Sequence, residues 1–208
     1  MFCSTIKTTA ALLASALCLA CGTPPTVVST NAPNAPNAPQ TAAPSSQGDA
    51  RSQGDLRLKA PDGWVSERPS SGMRVSQYQL PAAEGDSEAA SLVVYYFGAG
   101  QGGSVNANLE RWIGQMQTPD GSNEKAKTET TMVNGMKVTL LDVKGAYAGG
   151  DMAGGGAAAQ SKPNFRMRAG VIETPKGAYF IKLVGPENTV TRWDQGFQEF
   201  VKSAEFKG

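Results

Sequence analysis

Histidine is absent from all 208 residues. Its absence removes every Ser-His-Asp and Cys-His catalytic arrangement and every histidine-ligated metal site. Cysteine is nearly absent as well: Cys3, Cys18 and Cys21 are the only three, and none follows position 21. The rest of the chain can make no internal disulfide, so its stability must come from a packed core. A charge excess is also missing, with 19 Lys+Arg against 18 Asp+Glu. Nucleic-acid binders usually carry a basic surplus, so nucleic acid is not an expected partner. Only one long apolar run exists, Ala10–Ala20. It is too short to span a bilayer, which takes ~20 apolar residues.

That run has a different meaning. Lys7 precedes it and small residues close it, the pattern of a secretory signal peptide at 1–20. Leu17-Cys18-Leu19-Ala20-Cys21-Gly22 resembles a bacterial lipobox, in which the cysteine after the cleavage point is acylated. Cys18 stands where leucine is usual. Plain secretion with cleavage after the same Ala20, or a chance cysteine in an apolar leader, are the competing readings. Gly22 is not the aspartate that holds lipoproteins at the inner membrane of enteric bacteria, so outer-membrane placement is the expectation.

Residues 21–54 read as a tether. Six of the 13 prolines fall between Pro24 and Pro44, and Asn-Ala-Pro repeats three times at 31–39. With no aromatics, the segment cannot bury enough surface to offset its ordering entropy. In extended polyproline form it would reach up to about 100 Å, at ~3.1 Å per residue.

The segment 55–208 reads as one domain and holds all three tryptophans. Strands are expected at Leu56–Leu58, Met73–Leu80 and Ala90–Phe97, the last apolar throughout and so central in a sheet. Ala126–Val133 and Met136–Val143 flank Asn134-Gly135, a type I′ hairpin signal. Phe165–Thr174 and Gly177–Val184 flank Pro175-Lys176 as a second hairpin. Val105, Leu109, Trp112, Ile113 and Met116 form one helical stripe behind an N-cap at Ser104. Val190, Trp193, Phe197, Phe200, Val201 and Ala204 form another. Residues 145–164, with six glycines in 12 positions, are expected to be a mobile loop joining the hairpins. This order gives an α+β fold with a largely antiparallel sheet, not alternating βαβ.

Leu58-x-x-Pro61-x-Gly63-Trp64 opening the domain, the central hairpins, and Gly185-Pro186 leading into an aromatic C-terminal helix resemble the PsbP-like superfamily over roughly residues 56–206. That superfamily includes the extrinsic photosystem II protein, a Ran-binding nuclear import factor and many bacterial lipoproteins. The resemblance implies an antiparallel sheet of about six strands flanked by helices, and a non-catalytic role. It carries no metal site, because the metal-associated role of PsbP draws partly on histidines.

Candidate chemistry is sparse. Gly98, Gly100 and Gly103 fit G-x-G-x-x-G between a strand and a helix, and Gly98, Gly100, Gly102, Gly103 and Ser104 together are the candidate ligand-binding loop. Glycines there would let backbone amides approach an anion at the helix N-terminus. A dinucleotide reading needs a βαβ unit with an acid about 20 residues on; Asp120 has the spacing but lies in a Pro-Asp-Gly turn. Ser122 and Lys125 match S-x-x-K without its companion motifs. Glu84, Asp86 and Glu88 alternate in a loop, fewer oxygens than calcium needs. Arg166 and Arg168, with Lys182 on the hairpin partner, form either a basic stripe or the wet face of a sheet. Trp64, Trp112 and Trp193 are expected in the core rather than as a ligand platform.

The expected protein is an envelope-anchored lipoprotein with a non-catalytic binding or accessory domain, joined to the membrane at Cys21 and meeting an envelope protein partner. No cofactor is expected. The alternatives are a small anionic-ligand binder using the loop at 98–103, a hydrolase-type enzyme without histidine, and a secreted or periplasmic soluble protein.

Overall fold

The computed structural model describes residues 50–53, 55–117, 126–149 and 161–208. The expected signal peptide, Cys21 and nearly all of the tether lie outside these residues, as do Ser122, Lys125 and the central part of the glycine-rich loop.

Among the described residues two sheets are formed. The smaller joins β1 (Ala50–Gln53), β2 (Leu56–Lys59) and β11 (Glu205–Phe206), in which β11 pairs antiparallel with β2. Because β1 is a strand, the expected tether at 21–54 ends earlier than composition suggested. Polar composition in Ala50–Gln53 hid a strand whose pairing comes from backbone hydrogen bonds to β2.

The larger sheet has eight strands, all paired antiparallel. In chain order they are β3 (Val65–Glu67), β4 (Arg74–Leu80), β5 (Ala90–Tyr96), β6 (Met116–Gln117), β7 (Lys127–Val133), β8 (Met136–Tyr147), β9 (Lys162–Thr174) and β10 (Gly177–Pro186). Their spatial order is β3-β4-β5-β10-β9-β8-β6, with β7 also on β8. The class is the expected antiparallel α+β, and the sheet is wider than about six strands. The additional strands β3 and β6 hold three and two residues, too few to show alternation.

Both expected hairpins form. Asn134 and Gly135 adopt φ of 48° and 80°, the positive values a type I′ turn requires. The apolar run of β5 is buried on both faces, as expected for a central strand. Leu92 and Val94 join one core with Tyr179, Ile181 and Leu183, while Val93 and Tyr95 join a second with Met167, Ala169, Val171 and Phe180.

Helices cover both faces. The helix α1 (Val105–Gly114) lays Leu109 and Trp112 on the second core. On the first lie α2 (Glu187–Arg192) and α3 (Asp194–Lys202), through Val190, Phe197, Phe200 and Val201. One continuous C-terminal helix was expected; it breaks at Trp193 (φ −96°, ψ 7°). The break lets the Trp193 indole donate to the Pro81 carbonyl at 2.8 Å and lie over Gly63.

The expected loop at 145–164 is narrower than its glycines suggested. Gly145–Tyr147 belong to β8 and Lys162–Asn164 to β9. Gly145 is there for closeness: a Cβ would lie 2.6 Å from the Gln117 carbonyl oxygen. Its neighbour strand β6 therefore sits where only glycine fits.

Candidate functional site

The glycine loop at 98–104 bridges β5 and α1 as expected. Gly98, Gly100, Gly102 and Gly103 all have positive φ, from 69° to 104°. Their reasons differ. A Cβ on Gly102 would fall 2.5 Å from Phe180 and 2.9 Å from Phe97, whereas one on Gly100 would meet nothing within 4 Å. Ser104 caps α1 as predicted, accepting from the Ala107 amide at 3.2 Å. Asn108, almost fully buried, donates to the carbonyls of Gly102 and Ser104, both at 2.8 Å, and accepts from Arg111. This amide clasp was not legible in the sequence. A dinucleotide-binding βαβ unit is not built around this loop: β5 pairs antiparallel with β4 and β10, and β6 pairs antiparallel with β8.

Two of the loop acids, Asp86 and Glu88, have separate partners. Asp86 accepts from the Thr189 amide at 2.8 Å and hydroxyl at 2.6 Å, and so caps α2. The Thr189 hydroxyl, helped by the Thr189 amide and the Asn188 side chain, holds its carboxyl below the usual range against the opposing pull of desolvation. Glu88 pairs with Lys162 at 2.6 Å.

The basic residues correct the sequence reading most. Arg166 and Arg168 do share a face of β9, but that face is neither an open stripe nor a wet one, because α2 and α3 cover it. Arg166 grips Asp142 by two hydrogen bonds of 2.8 Å and donates to Thr191 at 3.1 Å. Arg168 contacts Asp142 at 3.0 Å and Asp194 at 3.1 Å, and its guanidinium lies over the Phe197 ring. Burial pushes the Asp142 carboxyl up, yet the hydrogen bond and charge of Arg166, with Arg168 beside it, outweigh that and hold it below the usual range. Asp142 in return raises the Arg166 guanidinium. This cluster ties β8, β9 and α3 together.

Lys182 is not part of that group. Register pairs it with Val93 of β5 and Ala169 of β9, both on the α1 side of the sheet. It is 5% exposed, in the middle of an otherwise apolar strand (Tyr-Phe-Ile-Lys-Leu-Val). Its ammonium donates to Gln115 Oε1 at 2.8 Å and to the Tyr147 hydroxyl at 3.0 Å, and lies 5.0 Å from the Tyr147 ring centroid. Gln115 is the C-cap of α1, where the helix dipole favours a cation. Tyr147 is fixed in turn by stacking on Phe165.

Lys182 lines a half-open cleft of about 360 Å³ together with Ser91, Val93, Tyr95, Tyr147, Gly149 and Val184. Valines, tyrosines, a serine and Lys182 thus frame a recess on the α1 side of the sheet. The single lysine interrupting the apolar run of β10 was the signal for it; only the register shows which face it occupies.

No family model and no curated protein matches the chain. Solved structures do. A PsbP is among them. That protein, CyanoP from Synechocystis, is 11% identical, with a TM-score of 0.47 over 82% of this chain and 97% of that one. LpqN of Mycobacterium tuberculosis, involved in cell envelope biogenesis, is 11% identical, with a TM-score of 0.46 over 74% of this chain and 83% of that one. A Pseudomonas aeruginosa protein of unknown function is 17% identical, with a TM-score of 0.42 over 71% and 88%. Among the described residues no helix is long and apolar enough to cross a membrane.

Proposed function

We propose that this chain is a bacterial envelope lipoprotein, acylated at Cys21, that displays a non-catalytic binding or accessory domain beyond a proline-rich spacer. The observation that carries the non-catalytic part is the use made of the buried charges. Arg166, Arg168, Asp142 and Asp194 are engaged in holding α3 on the sheet, and Asp86 caps a helix. Lys182, 5% exposed, donates to Gln115 and Tyr147 and so ties the end of α1 to β8 and β10. Charges engaged in this way hold elements together, which is a structural use rather than the moving of protons between matched acids and bases. The lipobox-like sequence before Cys21 carries the anchor.

Fractionation tests the anchor. The wild-type chain should sediment with membranes, and Cys21→Ser should move it to the soluble fraction; sedimentation unchanged by the substitution would overturn the lipid anchor. Crosslinking in living cells tests the accessory role, and recovery of one dominant envelope protein is the expected result. If instead the chain crosslinks to no protein at all, the partner reading fails and a small-molecule role stands in its place.

A further inference from the structure

We infer that the outer edge of β7 pairs with the same edge of a second copy of this chain. The pairing is antiparallel about a two-fold axis at Thr128, so that Lys127 of each copy faces Glu129 of the other. This goes beyond the accessory-domain reading and does not depend on the membrane anchor.

The state of the edge comes first. β7 bonds to β8 on one side, and among the described residues no strand lies on its other side. An unpaired row of N–H and C=O groups is a template for another strand, and sheets usually blunt it. The other outer strands of this sheet are blunted. β3 holds three residues and β6 two, and β4 beyond β3 is bulged between Arg74 and Ser76. β7 is different. It holds seven residues without proline, and its register with β8 runs unbroken from Lys127 to Val133. Its first six residues are exposed on both faces of the sheet, Met132 at 63%.

The turn then decides which groups point outward. Val133 and Met136 flank the two-residue Asn134-Gly135 turn, so the Met136 amide donates to the Val133 carbonyl. Hydrogen-bonded pairs alternate along an antiparallel ladder. Val133, Thr131, Glu129 and Lys127 therefore bond to β8, while Met132, Thr130 and Thr128 turn their N–H and C=O to the outer edge.

Charge selects the register. Lys127 and Glu129 are exposed on one face of β7, and among the described residues neither is in an ion pair. Asp142, opposite Lys127 on β8, is taken by Arg166 and Arg168. Three central registers can set β7 against its copy. Centred on Glu129, the two Glu129 carboxylates stand opposite each other, which is destabilising. Centred on Thr130, Lys127 meets Val133 and Glu129 meets Thr131, so no charge is matched. Centred on Thr128, Lys127 meets Glu129 twice, at non-hydrogen-bonded positions where side chains are closest. The same register aligns the outward groups of Ala126, Thr128 and Thr130. The shared edge spans only 126–130 of each copy, well short of the ~1,200 Å² at the low end of stable interfaces, so the dimer is weak, with a dissociation constant of about 0.1–1 mM.

The test is sedimentation equilibrium of the full chain carrying Cys21→Ser, which keeps it unacylated, with reductant so that Cys3 and Cys18 bridge no copies. The mean mass should climb from monomer towards dimer between about 10 µM and 1 mM. Glu129→Lys sets lysine against lysine and should weaken association by about tenfold or more. Lys127→Glu sets glutamate against glutamate and should do the same. Mixed together, these two variants restore both attractive pairs and should associate with each other at least as well as the wild type. Should Lys127→Glu fail to fold by circular dichroism, since it stands opposite Asp142, Thr128→Pro serves in its place. It removes an outward N–H without touching the bonds to β8, and should abolish the dimer. A wild type monomeric throughout, a dimer that survives both Glu129→Lys and Thr128→Pro, or charge variants that do not associate when mixed would overturn the proposal. None of these outcomes bears on membrane fractionation, so the envelope lipoprotein reading stands or falls separately.

Discussion

Asp142 is the residue on which most of the buried charge depends. It faces both Arg166 and Arg168, whose side chains are only 9% and 12% exposed. Removing one partner of a buried pair leaves the others uncompensated, which costs more than the pair itself contributes. Asp142→Asn should therefore lower stability by about 3 kcal/mol at neutral pH, the lower end of the range for buried pairs, since Asp142 keeps 20% of its side chain exposed. Its folded pKa lies below the unfolded value, so its contribution is complete above the unfolded pKa and fades as pH falls through the folded one. Urea denaturation followed from pH 7 downward should show the two proteins converging below about pH 4. A constant gap down to pH 2 would mean that the cluster acts through shape and not charge.

The strand-to-helix loop shows how one composition serves unlike purposes within an element. Gly100 and Gly102 look equivalent in sequence, and both have positive φ, but only Gly102 is wedged against Phe180 and Phe97. Gly102→Ala must displace aromatic rings as well as strain the backbone, for an expected loss of about 2–4 kcal/mol in thermal or chemical unfolding. Gly100→Ala carries the backbone strain alone, about 1 kcal/mol. Because it leaves the packing intact, Gly100→Ala is also the clean probe for an anion at this loop. Binding of inorganic phosphate to the wild type, lost in this variant, would support that reading; equal phosphate titrations would discard it. Similar logic explains the C-terminal segment, where periodicity predicts one helix and the Trp193 indole, reaching the Pro81 carbonyl, divides it.

For the whole molecule, the two cores and the pairing of distant strands replace covalent bridging. The neighbours β5 and β10 lie some 80 residues apart in sequence, as Tyr96 opposite Tyr179 shows. Such non-local pairing predicts folding on the millisecond-to-second scale or slower, not microseconds. Since no cysteine follows position 21, melting of the domain should be identical with and without reductant. A melting temperature lowered by reductant would show that a bridge among Cys3, Cys18 and Cys21 adds to the stability that packing supplies.

Sequence alone determined the class of the fold and most of its elements, because these are local. The alternation of strands, the Asn134-Gly135 turn and the Ser104 cap are each decided by residues within one turn or hairpin of each other. It also excluded histidine chemistry, and any disulfide within the chain after position 21. What only the tertiary structure decided was which face each polar residue occupies and what covers it. Arg166, Arg168 and Lys182 read as one basic group along the chain. Pairing of β8, β9 and β10 sends the arginines under α3 to be neutralised and the lysine under the end of α1 beside a cleft. A one-residue offset reverses a strand residue's face, and that offset is fixed by partners far away in sequence.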